Sequence, residues 1–91
     1  MTKTMRINGH DYASCKVIIN EYEDGKVLTL VSYTTQVAFI RFNKSGERKI
    51  ACNGTYSRTT TKHIGWFARE YGDGLSYYDF KKVIGCGYVA A

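Results

Sequence analysis

The sequence predicts an α+β fold: an antiparallel sheet of about four strands, with one main helix packed on one face and a short C-terminal helix. Four segments between residues 15 and 52 are rich in β-branched and aromatic residues and are separated by glycine-containing turns. After residue 59 the apolar residues recur at the spacing of an α-helix. The 91 residues suffice for one modest hydrophobic core, so we expect a single domain over residues 1–91.

The first predicted hairpin lies in the first third of the chain. Residues 15–23 alternate apolar residues on one face of a strand, and residues 27–33 form the returning strand. Asp24-Gly25 lies between them. This dipeptide favours a two-residue hairpin loop, because a type I′ turn needs positive φ at both of its central positions. The sequence therefore predicts that Asp24 and Gly25 form the loop.

The third and fourth predicted strands complete the meander. Residues 34–43 form a mostly apolar run, which suits a central strand covered on both sides. In this strand Val37 and Phe39 share one face. A turn with Gly46 in the left-handed conformation follows. The short basic segment 48–52 is predicted to be the returning strand, at the edge of the sheet.

The main helix is predicted over residues 60–71, with a threonine as its N-cap and Gly72 as a left-handed stop. Gly65 in its interior costs about 1 kcal/mol relative to alanine. We therefore expect Gly65 to mark a close approach to the sheet or to a partner. Ser76 and Asp79 have the spacing of a capping box and predict a short second helix. The last six residues are expected to form a final strand or to be frayed.

The charge of the chain is concentrated in its middle. The formal net charge is +5, and residues 41 to 69 contain seven basic residues against one acidic residue. Such a segment is a candidate surface for an acidic protein or for a phosphate backbone. The alternative is that the charge serves only solubility. The predicted contact residues for a partner or a nucleic acid are Arg41, Arg48, Lys49, Arg58, Lys62, Trp66 and Arg69.

The residues that could perform catalysis do not form a recognisable motif. Cys52 and His63 could form a thiol–imidazole pair, but no sequence signature brings them together. Cys15, Cys52 and Cys86 are odd in number and widely spaced, which is typical of reduced thiols and not of a disulfide framework or a zinc site. The glycine-rich segments lack the order of a phosphate-binding loop. We therefore expect no enzymatic activity, no catalytic residues, no cofactor and no metal.

The chain is predicted to be cytoplasmic and to have no contact with a membrane. It contains no run of about 18 apolar residues, and its first residues lack the apolar core of a signal peptide.

Two segments together resemble a small uncharacterised domain family of phage and plasmid proteins. The first reads VSYTTQVAFI and the second reads YSRTTTKHIGWFARE. They resemble the family blocks S-Y-x-T-x-V-A and Y-S-x-T-T-x-x-H-I-x-x-F. The matching residues are Ser32, Tyr33, Thr35, Val37, Ala38, Tyr56, Ser57, Thr59, Thr60, His63, Ile64 and Phe67.

The resemblance implies a mobile-element origin and a sheet followed by a helix. Small proteins of mobile elements block host machinery by binding it, or manage the element's own DNA or RNA. The expected function is therefore that of a non-enzymatic accessory protein that binds a host protein or ribonucleoprotein complex, for instance as an anti-defence (anti-CRISPR-type) inhibitor in the host cytoplasm. The alternative is a module that binds DNA or RNA directly through a basic face.

Overall fold

The computed structural model describes residues 1–7, 10–54 and 57–91, with side-chain environments for all of these except residues 6, 7 and 10–13. Its elements are strands β1 (Thr2–Ile7), β2 (His10–Tyr22), β3 (Gly25–Ser32), β4 (Thr35–Asn43) and β5 (Arg48–Cys52), helices α1 (Arg58–Tyr71) and α2 (Tyr77–Lys82), and strand β6 (Val89–Ala90). None of the helices in the described residues is long and apolar enough to cross a bilayer.

The strands form one antiparallel meander in the order β1-β2-β3-β4-β5-β6. The α+β class with an antiparallel sheet and two helices is thus confirmed. The prediction of about four strands was wrong, because the described residues form six. β1 precedes the predicted sheet, and β6 pairs with β5 through only two residues. β5 is therefore not the edge strand that its basic sequence suggested.

The loop of the first hairpin lies one residue earlier than predicted. Tyr22 pairs with Gly25, so Glu23 and Asp24 form the two-residue loop. Gly25 has φ +151°, and a Cβ built on it would lie 1.9 Å from the carbonyl oxygen of Phe42. Glycine is therefore required at this position by its close approach to β4.

Alternate residues of the strands form an inner face that carries the core. Their in-register rows are Val17, Leu30, Ala38 and Cys52 in one row and Leu28, Ile40 and Ile50 in the next. Ile64 and Phe67 of α1 and Phe80 of α2 belong to the same buried cluster. Each such large apolar side chain contributes about 1.5–3 kcal/mol when fully buried. The buried cluster thus contains side chains of both helices and of the inner face.

The remaining strand residues form the outer face, which is less buried than predicted for β4. Phe39 is half-buried and Arg41 is exposed. Val37 does not share their environment. It is 1% exposed, because a β-bulge shifts the register between Leu30 and Val31. The outer face carries Lys16, Ile18, Asn20, Tyr22, Val27, Thr29, Val31, Phe39, Arg41, Lys49 and Ala51.

The ends of α1 differ in detail from the prediction. The N-cap is Ser57, not a threonine, and its hydroxyl oxygen accepts a hydrogen bond from the backbone N–H of Thr60 at 3.3 Å. Gly72 has φ −89° and is therefore not in the left-handed conformation. Glycine is needed there for space, because an added Cβ would lie 2.4 Å from the carbonyl oxygen of Ala68.

The two helices meet at Gly65. A Cβ added there would lie 4.0 Å from the Cβ of Tyr77 in α2, so this glycine faces the second helix and not the sheet. The predicted capping box of α2 is present. The backbone N–H of Ser76 donates to the carboxylate of Asp79 at 2.8 Å.

Candidate functional site

The outward side of α1 carries three of the predicted contact residues. Arg58, Lys62 and Arg69 are all exposed and lie at i, i+4 and i+11. The buried residues of the same helix lie on the opposite side. The three side chains therefore form a row along the helix, and together with Trp66 beside it we name this row the α1 strip.

Trp66 connects the α1 strip to the interior. It is half-buried, and the Nζ atom of Lys62 lies 5.9 Å from its ring centroid, within the range of a cation–π contact. Its ring centroid is also 5.5 Å from that of the buried His63. The indole thus contacts both the exposed ammonium group of Lys62 and the buried imidazole of His63.

Arg41 and Lys49 lie elsewhere, on the outer face of the sheet. They are register partners on β4 and β5, so their side chains are neighbours. Arg41 forms an ion pair with Asp24 at 3.6 Å, and both side chains are largely exposed. Because both partners are exposed, this pair contributes at most about 1 kcal/mol.

Arg48 binds backbone carbonyl groups of the same chain. Its guanidinium donates hydrogen bonds to the carbonyl oxygens of Gly72 and Asp73, the latter at 2.7 Å. These carbonyls belong to the turn that follows α1, where Asp73 has φ 52°. Arg48 therefore ties β5 to that turn. The seven predicted contact residues are thus not one surface: they lie on the α1 strip, on the outer face and at this turn.

A buried network of hydroxyl groups and an imidazole lies beneath the α1 strip. Ser32 Oγ lies 2.8 Å from His63 Nδ1 and 3.1 Å from Thr60 Oγ1. The hydroxyl of Ser57 in turn donates to Thr60 Oγ1 at 3.4 Å. Ser32, Thr60 and His63 are each at most 6% exposed, so the network is shielded from water. It joins the end of β3 to the first turns of α1.

One hydrogen bond of the network has a defined direction, since the Ser57 hydroxyl donates to Thr60 Oγ1. The Ser32 and Thr60 hydroxyls can each donate or accept, and the role of Nδ1 follows the tautomer of His63. Burial lowers the pKa of His63, and the nearby charge of Lys62 lowers it further. Both effects favour the neutral imidazole.

The network joins the two sequence blocks described above. Ser32 belongs to the first block, and Ser57, Thr60 and His63 belong to the second. The model of a family of unknown function, DUF8033, matches residues 3–82 of the chain, which include both blocks. The chain belongs to DUF8033. No curated protein and no solved structure is significantly similar to it.

The thiols of this DUF8033 protein have different environments. Burial raises the pKa of Cys15 to about 12 and also raises the pKa of Cys52, whereas Cys86 is exposed. Cys52 Sγ contacts the carbonyl oxygen of Gly54, and His63 contacts Ser32, so the two candidate groups have different partners. Among the residues that the structure describes, no three His, Cys, Asp or Glu residues cluster as metal ligands would.

Sequence reasoning missed two groups of residues in this DUF8033 domain. Ser32 was not predicted as a partner of His63, because 31 positions separate them and no periodicity connects them. The aromatic residues of the outer face, Tyr22 and Tyr88, were missed as well. The alternation of β4 placed Phe39 on one face, but Tyr88 lies in the last six residues, for which a final strand and a frayed end were both expected.

Proposed function

We propose that this protein is a non-enzymatic accessory protein of a mobile genetic element that acts by stoichiometric binding to an acidic surface of a host complex that handles nucleic acid. The anti-defence role, inhibition of an anti-phage system of the CRISPR type, is the form of this function that we favour. The resemblance to phage and plasmid domains supports the mobile-element origin. The net charge of +5 disfavours mimicry of DNA by the protein itself.

The observation that carries the proposal is the α1 strip. Three exposed cations on one helix face provide a linear positive surface. Trp66 beside Lys62 adds a ring with partial exposure. Arginine and tryptophan are enriched among the residues that dominate the binding energy of protein interfaces. A helix face with this composition fits an acidic groove or ridge on a partner.

Affinity capture with mass spectrometry tests the proposal. The tagged protein is incubated with a nuclease-treated host lysate at moderate salt, and the molar ratio of each recovered protein to the bait is measured. We expect one host complex at a fixed ratio, and we expect the ratio to fall as the salt concentration rises.

Two variants make this experiment specific. Arg58→Glu combined with Lys62→Glu and Arg69→Glu reverses the α1 strip and should reduce recovery by about tenfold or more. Lys16→Glu combined with Arg41→Glu and Lys49→Glu makes the same charge change on the outer face and should retain the partner. Equal recovery with the α1 variant, or turnover of a substrate without any captured partner, would reject the proposal.

A further inference from the structure

The outer face of the sheet is a second surface with a distinct composition, and the proposed function does not use it. The helices place their buried side chains in the core of the inner face. On the outer face Lys16 and Arg41 are exposed, and Phe39 and Lys49 are half-buried. This surface therefore has both rings and cations within reach of a ligand.

Aromatic rings are spread across the outer face. Tyr88 is 45% exposed and packs edge-on against Phe39, with 6.2 Å between the ring centroids. Tyr22 is 58% exposed at the other end of the face, where it lines a shallow depression with Asp24, Val27 and Arg41. Exposed rings on a pleated surface are stacking platforms for unpaired bases, since every base has a π-face.

The cations of the outer face surround these rings. Arg41 and Lys49 are adjacent register partners, and Arg41 lies two residues from Phe39, a spacing of about 7 Å along the strand. Lys16 lies on β2, two strands away from Arg41. The outer-face residues of β2 to β5 between Lys16 and Ala51 include no carboxylate among the described side chains. Asp24 reaches Arg41 only from the turn, in an exposed and therefore weak ion pair.

Rings next to cations match one class of ligand. Phosphate groups complement the cations, and unpaired bases complement the rings. A duplex conceals its bases from such a surface, because direct readout of a duplex requires an element that enters a groove. We infer that the outer face binds single-stranded nucleic acid, with Tyr22 and Tyr88 stacking on bases and Lys16, Arg41 and Lys49 contacting phosphates. This inference assigns the direct binding of DNA or RNA, the alternative function considered for the sequence, to the outer face. It is independent of the function proposed for the α1 strip.

Fluorescence anisotropy tests the inference with a labelled oligothymidine of about 12 nucleotides, the matching oligouridine and a duplex of equal length. At about 50 mM salt, where such contacts are strong, we expect both single strands to bind and the duplex to bind at least tenfold more weakly. Three phosphate contacts give a slope of log affinity against log salt of about −2, from about −0.7 per contact for single strands.

Two variants locate the site. Tyr88→Leu keeps an apolar cover on Phe39 but removes the exposed ring, and it should weaken binding by about fivefold or more. Arg41→Ala combined with Lys49→Ala should reduce the slope to about −0.7. The matched control, Arg58→Ala combined with Lys62→Ala, removes the same charge from α1 and should change affinity less than about twofold. Circular dichroism verifies that each variant is folded.

Three results would overturn the inference. The first is that the wild-type protein does not bind either single strand at low salt. The second is equal affinity for the duplex and the single strands. The third is equal loss of affinity in the outer-face and α1 double variants, which would indicate non-specific attraction by net charge.

Discussion

Ser32 Oγ lies 2.8 Å from Nδ1 of His63 and thereby connects the end of β3 to α1 through two buried side chains. The environment of His63 is that of a structural residue. Its Nδ1 contacts Ser32, and its ring packs against the rings of Tyr33 and Trp66. His63, which the sequence offered as a catalytic candidate, thus connects the sheet to the helix through its contact with Ser32.

Ser32→Ala should destabilise the fold by about 1–3 kcal/mol, because it removes the partner of buried Nδ1 of His63 and one of the two hydroxyl contacts of Thr60. The measurement is the free energy of unfolding in urea. Thr34→Ala, at an exposed position in the adjacent turn, is the control and should change stability by less than about 0.5 kcal/mol. If the two variants are equally stable, the network does not stabilise the domain.

Stability should depend on pH through His63. The pKa of His63 is lowered in the folded state from its ordinary value of 6.5, so the unfolded chain binds the proton more readily. The contribution of neutral His63 is therefore complete above about pH 6.5 and is lost as the pH falls through 6.5 toward the folded pKa.

The urea midpoint of the wild-type protein should accordingly decrease between pH 7 and pH 5. His63→Asn lacks this titration and should show a smaller decrease, while His10 remains in both proteins and cancels in the comparison. Parallel pH profiles for the two proteins would be evidence against a depressed pKa of His63.

Two glycines in one helix region should respond in opposite directions to alanine. Gly65→Ala should stabilise the protein by about 0.5–1 kcal/mol, because its Cβ makes only an ordinary contact with Tyr77. Gly72→Ala should destabilise it by about 1–3 kcal/mol, because its Cβ would collide with the backbone of Ala68 and the side chain of Leu75. Thermal unfolding measures both. Equal melting temperatures for the two variants would contradict this packing.

Arg48→Ala should reduce stability by about 1–3 kcal/mol without affecting partner recovery. The guanidinium holds two carbonyl groups of the turn after α1, and hydrogen bonds to charged groups are the stronger class. Lys49→Ala removes the same charge from the next residue and should change stability by less than about 0.5 kcal/mol. If Arg48→Ala is as stable as Lys49→Ala, the hydrogen bonds of Arg48 do not stabilise the fold. Arg48 would then again be a candidate contact residue for a partner.

Local patterns in the sequence were sufficient for the elements with strong periodicity. The stripe of α1, the capping box of Ser76 and Asp79, and the alternation around Ile40 all depend on neighbouring residues, and each is present. Features that depend on distant pairing were only partly predictable. The last six residues were expected to form a final strand or to be frayed, and two of them form β6 through pairing with β5. Val37 became buried through a bulge that no local pattern encodes.

The candidate site shows the same division. The helical spacing of Arg58, Lys62 and Arg69 predicted their common face, which the structure contains. The sequence could not separate Arg48 from Lys49, because its distinctive partners lie 24 and 25 residues away in the chain. Strand alternation placed Arg41 opposite Ile40, but the position of Tyr88 beside Phe39 required the folded chain.

The most direct measurement of the central claim is quantitative capture of host proteins by three baits: the wild-type protein, the triple glutamate variant of the α1 strip and the triple glutamate variant of the outer face. We predict that the wild-type and outer-face baits recover the same complex at the same molar ratio, while the α1 variant recovers at least about tenfold less. Equal recovery by all three folded baits would contradict binding through α1.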